Sequence, residues 1–219
     1  IRNFEHGAEM VRMLYLDPLG RRLITACHHS VFIWGLASGT LEWLLPVSGQ
    51  PIFNIAVSEL GDTLAASTMD SRVLLWHRGA GGWRLNRSLL ANETVFALAL
   101  AHHGRLVVAF TPLRGLVWDA ASGRLLHRLT DVAGERGEVR LVLIASEGNT
   151  VAVCGGDVLG RSSLRTTIWD ARRGRRLNTL PAEVSEEAPS TRADTVGWPG
   201  CSVALSPATS MLEYVRALR

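Results

Sequence analysis

Lysine is missing from this sequence: all 23 basic residues are Arg. The absence excludes a P-loop lysine, a Schiff-base lysine and a lysine general base, because each of those chemistries needs an ε-amine. Arginine can still fork onto carboxylates or phosphates. A GC-rich coding sequence is a plainer account of the bias than a selected arginine surface. Cysteine is scarce as well. Cys27, Cys154 and Cys201 lie far apart with no Cys-x-x-Cys pair. That is too few for a disulfide scaffold and points to a reducing, intracellular compartment; the cytoplasm is expected and the nucleus is left open. No apolar run approaches the roughly 18 to 20 residues of a membrane span. The chain opens on Ile1 without a basic-then-apolar leader, which reads as a piece of a longer polypeptide. Net charge is only +3, well short of a polycation.

Phe and Tyr are few, five and two, yet there are seven Trp, so tryptophan has a set structural role. Trp34, Trp76, Trp118 and Trp169 recur at intervals of 42, 42 and 51 residues. Five positions after each stands a glycine: Gly39, Gly81, Gly123 and Gly174. Immediately before each stands a branched aliphatic residue, Ile33, Leu75, Val117 or Ile168. Upstream of each Trp lie two short apolar runs around a turn, such as "VRMLYL" and "RLITAC" around "DPLG", or "VFALAL" and "RLVVAF" around "AHHG". Runs of this length, rich in Val, Ile, Leu and Ala and bounded by turn residues, read as strands. Helices need more room than turns about every ten residues allow. A more polar fourth run, such as "TLEWLL" or "RLLHRL", follows each glycine.

The unit is therefore four strands in about 42 residues, the size of a propeller blade. Its apolar-to-polar gradient suits strands covered on both faces near an axis and wetted at the rim. The fold class expected is all-β, a β-propeller of four-stranded antiparallel blades. "VWDAASG" and "IWDARRG" resemble the Trp-Asp ending of the third strand in the WD-repeat (WD40-like) family, and the resemblance runs over nearly the whole chain. The pair survives as Trp118-Asp119 and Trp169-Asp170, whereas Trp34 is followed by Gly35 and Trp76 by His77. The family's Gly-His dipeptide is missing, with "EHG" at 5–7 only a faint counterpart. Its Asp six residues before the Trp appears as Asp70 alone, with His28, Pro112 and Ser163 elsewhere. The resemblance thus implies the fold, and the family's buried Asp-His-Ser-Trp network is not expected here.

Blades are expected at about 10–45, 52–89, 95–129 and 139–180, with a partial fifth at 201–219. An open propeller leaves strand edges bare, so about four and a half blades imply a larger ring, most simply of about seven. The fourth unit carries extra length in "GGDVLGRSSLR" before Trp169, an enlarged loop between its second and third strands. A Pro-, Glu-, Ser- and Thr-rich stretch at 181–200 reads as a surface loop, where Trp198 could anchor an interface.

No reaction is written in the chain. His28-His29 and His102-His103 fall in turns on opposite faces of a propeller and cannot share an ion. "GAGG" at 79–82 lacks a following helix and is a turn rather than a phosphate cradle. Gly-x-Ser-x-Gly is absent, and Cys27 and Cys154 end second strands as core residues. Catalytic residues, metal, cofactor and small-molecule substrate are all expected to be none. The main surface signal is Arg172, Arg173, Arg175 and Arg176 in one turn. It could seat an acidic protein face or an RNA backbone, although interleaved stacking aromatics are missing. The expected role, carried by the resemblance, is a non-catalytic scaffold binding other proteins or other domains of the same polypeptide. An RNA- or phosphate-binding propeller is the alternative, and a propeller enzyme comes last.

Overall fold

The computed structural model describes residues 4–7, 9–17, 19–47, 49–112, 114–130, 137–144, 149–157 and 165–181. Most of the expected fourth-blade insertion, the loop at 181–200 with Trp198, and the partial fifth blade lie outside the described residues. Sixteen strands form four sheets of four among the described residues. The first sheet holds β1 (Met13–Leu16), β2 (Arg22–Ala26), β3 (Ser30–Gly35) and β4 (Leu41–Pro46), and the second β5 (Ile52–Val57), β6 (Thr63–Thr68), β7 (Arg72–Gly79) and β8 (Gly82–Leu90). The third holds β9 (Ala97–Ala101), β10 (Leu106–Phe110), β11 (Arg114–Asp119) and β12 (Leu125–Thr130), and the fourth β13 (Gly137–Ile144), β14 (Thr150–Asp157), β15 (Arg165–Asp170) and β16 (Arg175–Pro181). In every sheet consecutive strands pair antiparallel, so short turns suffice to connect them.

The sheets are arranged side by side. β9 touches β5 and β6 of the blade before it and β13 of the blade after it, so the first strands line one side of the assembly. Burial follows. β6 and β10 are buried at every position, while β4, β8 and β12 are mostly exposed or half-buried. A strand sandwiched between neighbouring blades has no wet face, so its residues lose the alternation of a one-sided sheet. β1 differs: Leu14 and Leu16 are 65% and 56% exposed, because they point away from the second blade.

Apolar clusters bind the blades pairwise. Ile24, Ala26, Val31 and Ile33 of the first blade meet Ile55, Val57, Leu64 and Trp76 of the second. Val73, Leu75 and Leu89 of the second meet Val107, Leu116 and Trp118 of the third. Val108, Phe110 and Leu129 of the third meet Val151, Val153 and Trp169 of the fourth. Each of these indoles thus packs back onto the preceding blade, and burial of a ring that size is worth a few kcal/mol, about 3. Trp34 has the same place in the first blade and is covered by Phe4 and Leu36.

A register shift recurs in every blade at the step into the tryptophan: Ile33/Trp34, Leu75/Trp76, Val117/Trp118 and Ile168/Trp169. The fourth strand carries the extra residue there, Glu42, Asn86, Leu126 or Leu177. A bulge sharpens the local twist, which lets a flat apolar face wrap its neighbour.

Candidate interaction face

The turns joining first to second and third to fourth strands lie together at one end of the blades. Gly39, Gly123 and Gly174 are left-handed there, with φ of 73°, 74° and 64°. In the second blade the left-handed residue is Gly82 (φ 95°) rather than the expected Gly81. The reason is length: β7 and β8 are joined by Ala80 and Gly81 alone, so the special conformation falls one position later.

These turns are fastened to the neighbouring blade by a recurring contact. In the first three blades the residue opposite the one before the Trp is Trp43, Arg87 or His127. A Cβ on Gly82 would lie 1.9 Å from the Trp43 ring, one on Gly174 2.4 Å from the His127 ring, and one on Gly123 3.5 Å from Arg87 Cδ. Arg87 also donates to the Ala121 carbonyl at 2.6 and 3.1 Å. His127 Nε2–H donates to the corresponding Arg172 carbonyl at 2.9 Å. Three chemically unrelated side chains therefore share one structural role, since each seats the next blade's turn. Nothing in the sequence spacing signals it.

At the opposite end, the first blade holds a hydrogen-bond chain that the sequence did not lead us to expect. Trp34 Nε1–H donates to Thr25 Oγ1 at 3.1 Å, and Thr25 Oγ1 lies 2.6 Å from His6 Nε2. His6 Nδ1 lies 3.0 Å from the Phe4 carbonyl, which can only accept, so Nδ1 carries the proton and Nε2 accepts from Thr25. The His6 ring also meets Trp34 edge-on at 5.0 Å. The positions matching Thr25 are Ala66, Ala109 and Val153, so the hydroxyl exists only once. Trp169 Nε1 is accordingly buried without a partner among the described residues. Thr25→Val should cost about 1 to 3 kcal/mol by stranding the indole and imidazole nitrogens, with Thr25→Ser restoring most of it. Urea unfolding followed by tryptophan fluorescence measures both.

The arginine turn of the fourth blade divides. Arg173 is tied to Asp170, through its backbone N–H at 3.0 Å and its guanidinium at 3.0 Å. Arg176 lies over the Trp169 ring at 6.0 Å. Arg172 and Arg175 are exposed and make no ion pair among the described residues. The same holds for Arg21, Arg78, Arg84 and Arg105 in the other turns at this end.

The carboxylates at this end accept hydrogen bonds or pair locally, although Asp17 Oδ2 is buried without a hydrogen bond among the described residues. Asp17 Oδ1 accepts the Arg21 and Arg22 backbone N–H groups at 2.6 and 3.1 Å. Glu42 pairs with Arg22 at 2.7 Å and Glu59 with His103 at 2.9 Å. Asp62 accepts from the Ser58 and Thr63 hydroxyls. Hydrogen bonds from the Ser122 hydroxyl and backbone hold Asp119 below its ordinary range. Asp170 is raised by burial, but its bonds to Arg173 outweigh that and leave it lowered.

A cleft of about 570 Å³ opens between the second and third blades at this end, with Leu75, Trp76, Leu60 and Ala121 in its walls. Among the described residues no group of three or more His, Cys, Asp or Glu could hold a metal ion. Cys27 follows β2, is buried, and has its thiol pushed up by burial and by Glu9. Cys154 lies within β14 rather than at its end, as β14 continues to Asp157. No helix among the described residues is long and apolar enough to cross a membrane.

A solved structure, the β-propeller domain of Myceliophteria thermophila Cps50 (Swd1), matches 81% of this chain at 15% identity with a TM-score of 0.66. The fold is that of a β-propeller. This chain spans 58% of the length of that structure, and identity at that level carries the fold alone. No family model and no curated protein matches the sequence.

Against the WD-repeat pattern, the Asp of each Trp-Asp pair closes its own turn: Asp119 on Ser122 and Asp170 on Arg173. At Gly35, in the same place of the first blade, a Cβ would lie 2.6 Å from Ser38 Oγ and 2.8 Å from Glu42 Oε1, so a side chain there would displace both. The buried network of the family, not expected from the sequence, is present in part as His6, Thr25 and Trp34. His28 holds the place of its acid.

Proposed function

We propose that this chain is a segment of a larger WD-repeat propeller that serves as a non-catalytic protein-interaction scaffold, presenting its arginine-bearing end to an acidic partner. The observation that carries this reading is the charge imbalance: Arg21, Arg78, Arg84, Arg105, Arg172 and Arg175 have no ion pair among the described residues and outnumber Asp62 and Asp119, which accept only neutral donors there and keep their charge. Uncommitted, exposed guanidiniums steer and orient a negatively charged partner. The scaffold role itself is an analogy from the fold, in which rigid blades hold variable turns. A larger ring is supported by Leu14 and Leu16, exposed on the face of the first blade turned away from the second, the face that also carries Leu44 at 49% exposure.

RNA binding rests on the same arginines. Less favourable is that all six described tryptophans are buried or half-buried, leaving no indole platform on which bases could stack. Titrating a labelled poly-glutamate peptide and a single-stranded RNA oligonucleotide at rising salt separates the two. The scaffold reading expects the peptide to bind and the double variant Arg172→Glu/Arg175→Glu to weaken it several-fold. Tighter RNA binding, with a steep salt slope abolished by the same variant, would replace it by the alternative.

A further inference from the structure

We infer that the acidic stretch following β16 docks on the arginine turn of its own fourth blade, where Glu186 and Glu187 pair with Arg172 and Arg175 and compete with an outside partner. This inference rests on the interaction reading above and adds its regulation: the site carries its own competitor in the same polypeptide.

The turn is a built cationic feature. With the strand ends that flank it, it holds Arg172, Arg173, Arg175 and Arg176 against the one carboxylate of Asp170. Asp170 is already bonded to Arg173, through the backbone N–H and the guanidinium at 3.0 Å each, and Arg176 lies over the Trp169 ring at 6.0 Å. Arg172 and Arg175 stay exposed with no ion pair among the described residues. Their backbone is held from outside the turn. His127 Nε2–H donates to the Arg172 carbonyl at 2.9 Å, Gly174 is left-handed at φ 64° against the His127 ring, and Ala171 N–H donates to the Asn149 carbonyl at 2.8 Å. Binding an anion here therefore costs only the freedom of two side chains. The local excess of positive charge favours carboxylates as its occupant.

The chain itself supplies them at the right distance. β16 leaves the turn at Arg175 and ends at Pro181, which stands opposite Arg165, about 20 Å away at roughly 3.3 Å per residue. β16 is the outermost strand of its sheet, so its far edge is open to a returning chain. After Pro181 come Glu183, Glu186 and Glu187, with no basic residue before Arg192. A chain spans at most about 3.3 to 3.6 Å per residue. Glu183, two residues on, reaches roughly 7 Å and stays near the far end of the blade. Glu187, six residues on, reaches roughly 20 to 22 Å, level with Arg175. The long arginine side chains bring Glu186 within range as well.

Tethering makes such a contact effective. Exposed carboxylate–guanidinium pairs are individually weak, and between separate molecules two of them hold little. A short tether sets an effective concentration of order millimolar, so the same contact is populated within one chain. An outside acidic partner then finds only part of the molecules open, and its apparent affinity falls in proportion.

Fluorescence anisotropy with the labelled poly-glutamate peptide measures the competition. Glu186→Gln/Glu187→Gln should tighten peptide binding about threefold at low salt. Glu183→Gln, which removes charge beyond reach of the turn, should leave it unchanged. The gain should vanish when the double change is made in the Arg172→Glu/Arg175→Glu background. A second readout needs no partner: digestion with a glutamate-specific protease followed by mass spectrometry, with cleavage after Glu183 as the internal reference. Cleavage after Glu187 relative to Glu183 should rise about threefold in Arg172→Glu/Arg175→Glu and stay constant in Arg21→Glu/Arg105→Glu, with circular dichroism melting checking that each variant is folded. A gain that persists without the two arginines, or equal tightening per glutamate from Glu183→Gln, is a net-charge effect and overturns the contact. A cleavage ratio indifferent to Arg172 and Arg175 overturns it too; if those arginines still govern peptide binding, the interaction reading survives. If the ratio responds but no acidic peptide binds, the interaction reading fails, the competition fails with it, and the contact alone stands.

Discussion

Gly82→Ala is expected to lower unfolding free energy by about 2 to 5 kcal/mol, a fall in Tm of roughly 5 to 15 °C for a chain of this size. Two independent costs meet at this position. The backbone is left-handed at φ 95°, where a Cβ is penalised by about 1 to 2 kcal/mol. The new methyl would also stand 1.9 to 2.7 Å from three ring atoms of Trp43. That ring is packed against the cluster joining the first two blades, so it cannot swing away without emptying a junction. Gly81→Ala, one residue earlier, is the control. Its backbone is not left-handed, and its Cβ would meet only the flexible end of Arg84 at 3.1 Å. An effect within about 0.5 kcal/mol is expected there. Thermal unfolding of the two variants side by side decides the matter; comparable losses would show that the glycine spacing of the repeat, and not the contact with Trp43, sets the requirement.

The contrast between these glycines marks where sequence reasoning stops. Strand existence was legible because apolar runs of about six residues between turn signals leave little else to be, and the tryptophan interval carried the blade count. The exact left-handed position was not, because a two-residue hairpin in one blade shifts it by one. The recurrent bulge was also hidden, since Glu42, Asn86, Leu126 and Leu177 share no chemistry that would announce it. Trp43, Arg87 and His127 share only a place, opposite the residue before each repeated Trp, and that place exists only once the strands are in register. His6 reaches Thr25 across 19 residues of sequence, a pairing set by how the segment before β1 crosses the sheet. In the arginine turn, composition supplied four equal candidates, and geometry consumes two of them on Asp170 and Trp169.

Trp118→Ala is the second large effect, expected at about 3 to 5 kcal/mol. The indole is 3% exposed and sits among Val73, Leu75 and Leu89 from one blade and Val107 and Leu116 from the next. All but Leu89, on the outer strand β8, belong to strands fixed by backbone ladders on both sides, so the cavity collapses little and the cost stays near the upper part of the range. Trp34→Ala should cost less, because part of its cover is the short segment carrying Phe4 and His6, which can settle into the gap. The form of the transition should change as well as its midpoint. In an array where each unit touches only its neighbours, stability is a sum of unit and junction contributions. Weakening the central junction therefore lets the first and second blades unfold apart from the third and fourth. Urea unfolding of Trp118→Ala should show a lower midpoint together with a broadened transition and a reduced m value, whereas Trp34→Ala should shift the midpoint with m unchanged. A Trp118→Ala transition as steep as that of the unmodified chain would mean that the blades are coupled by something other than the apolar junctions, and the fastening of turns by Trp43, Arg87 and His127 would then be the first place to look.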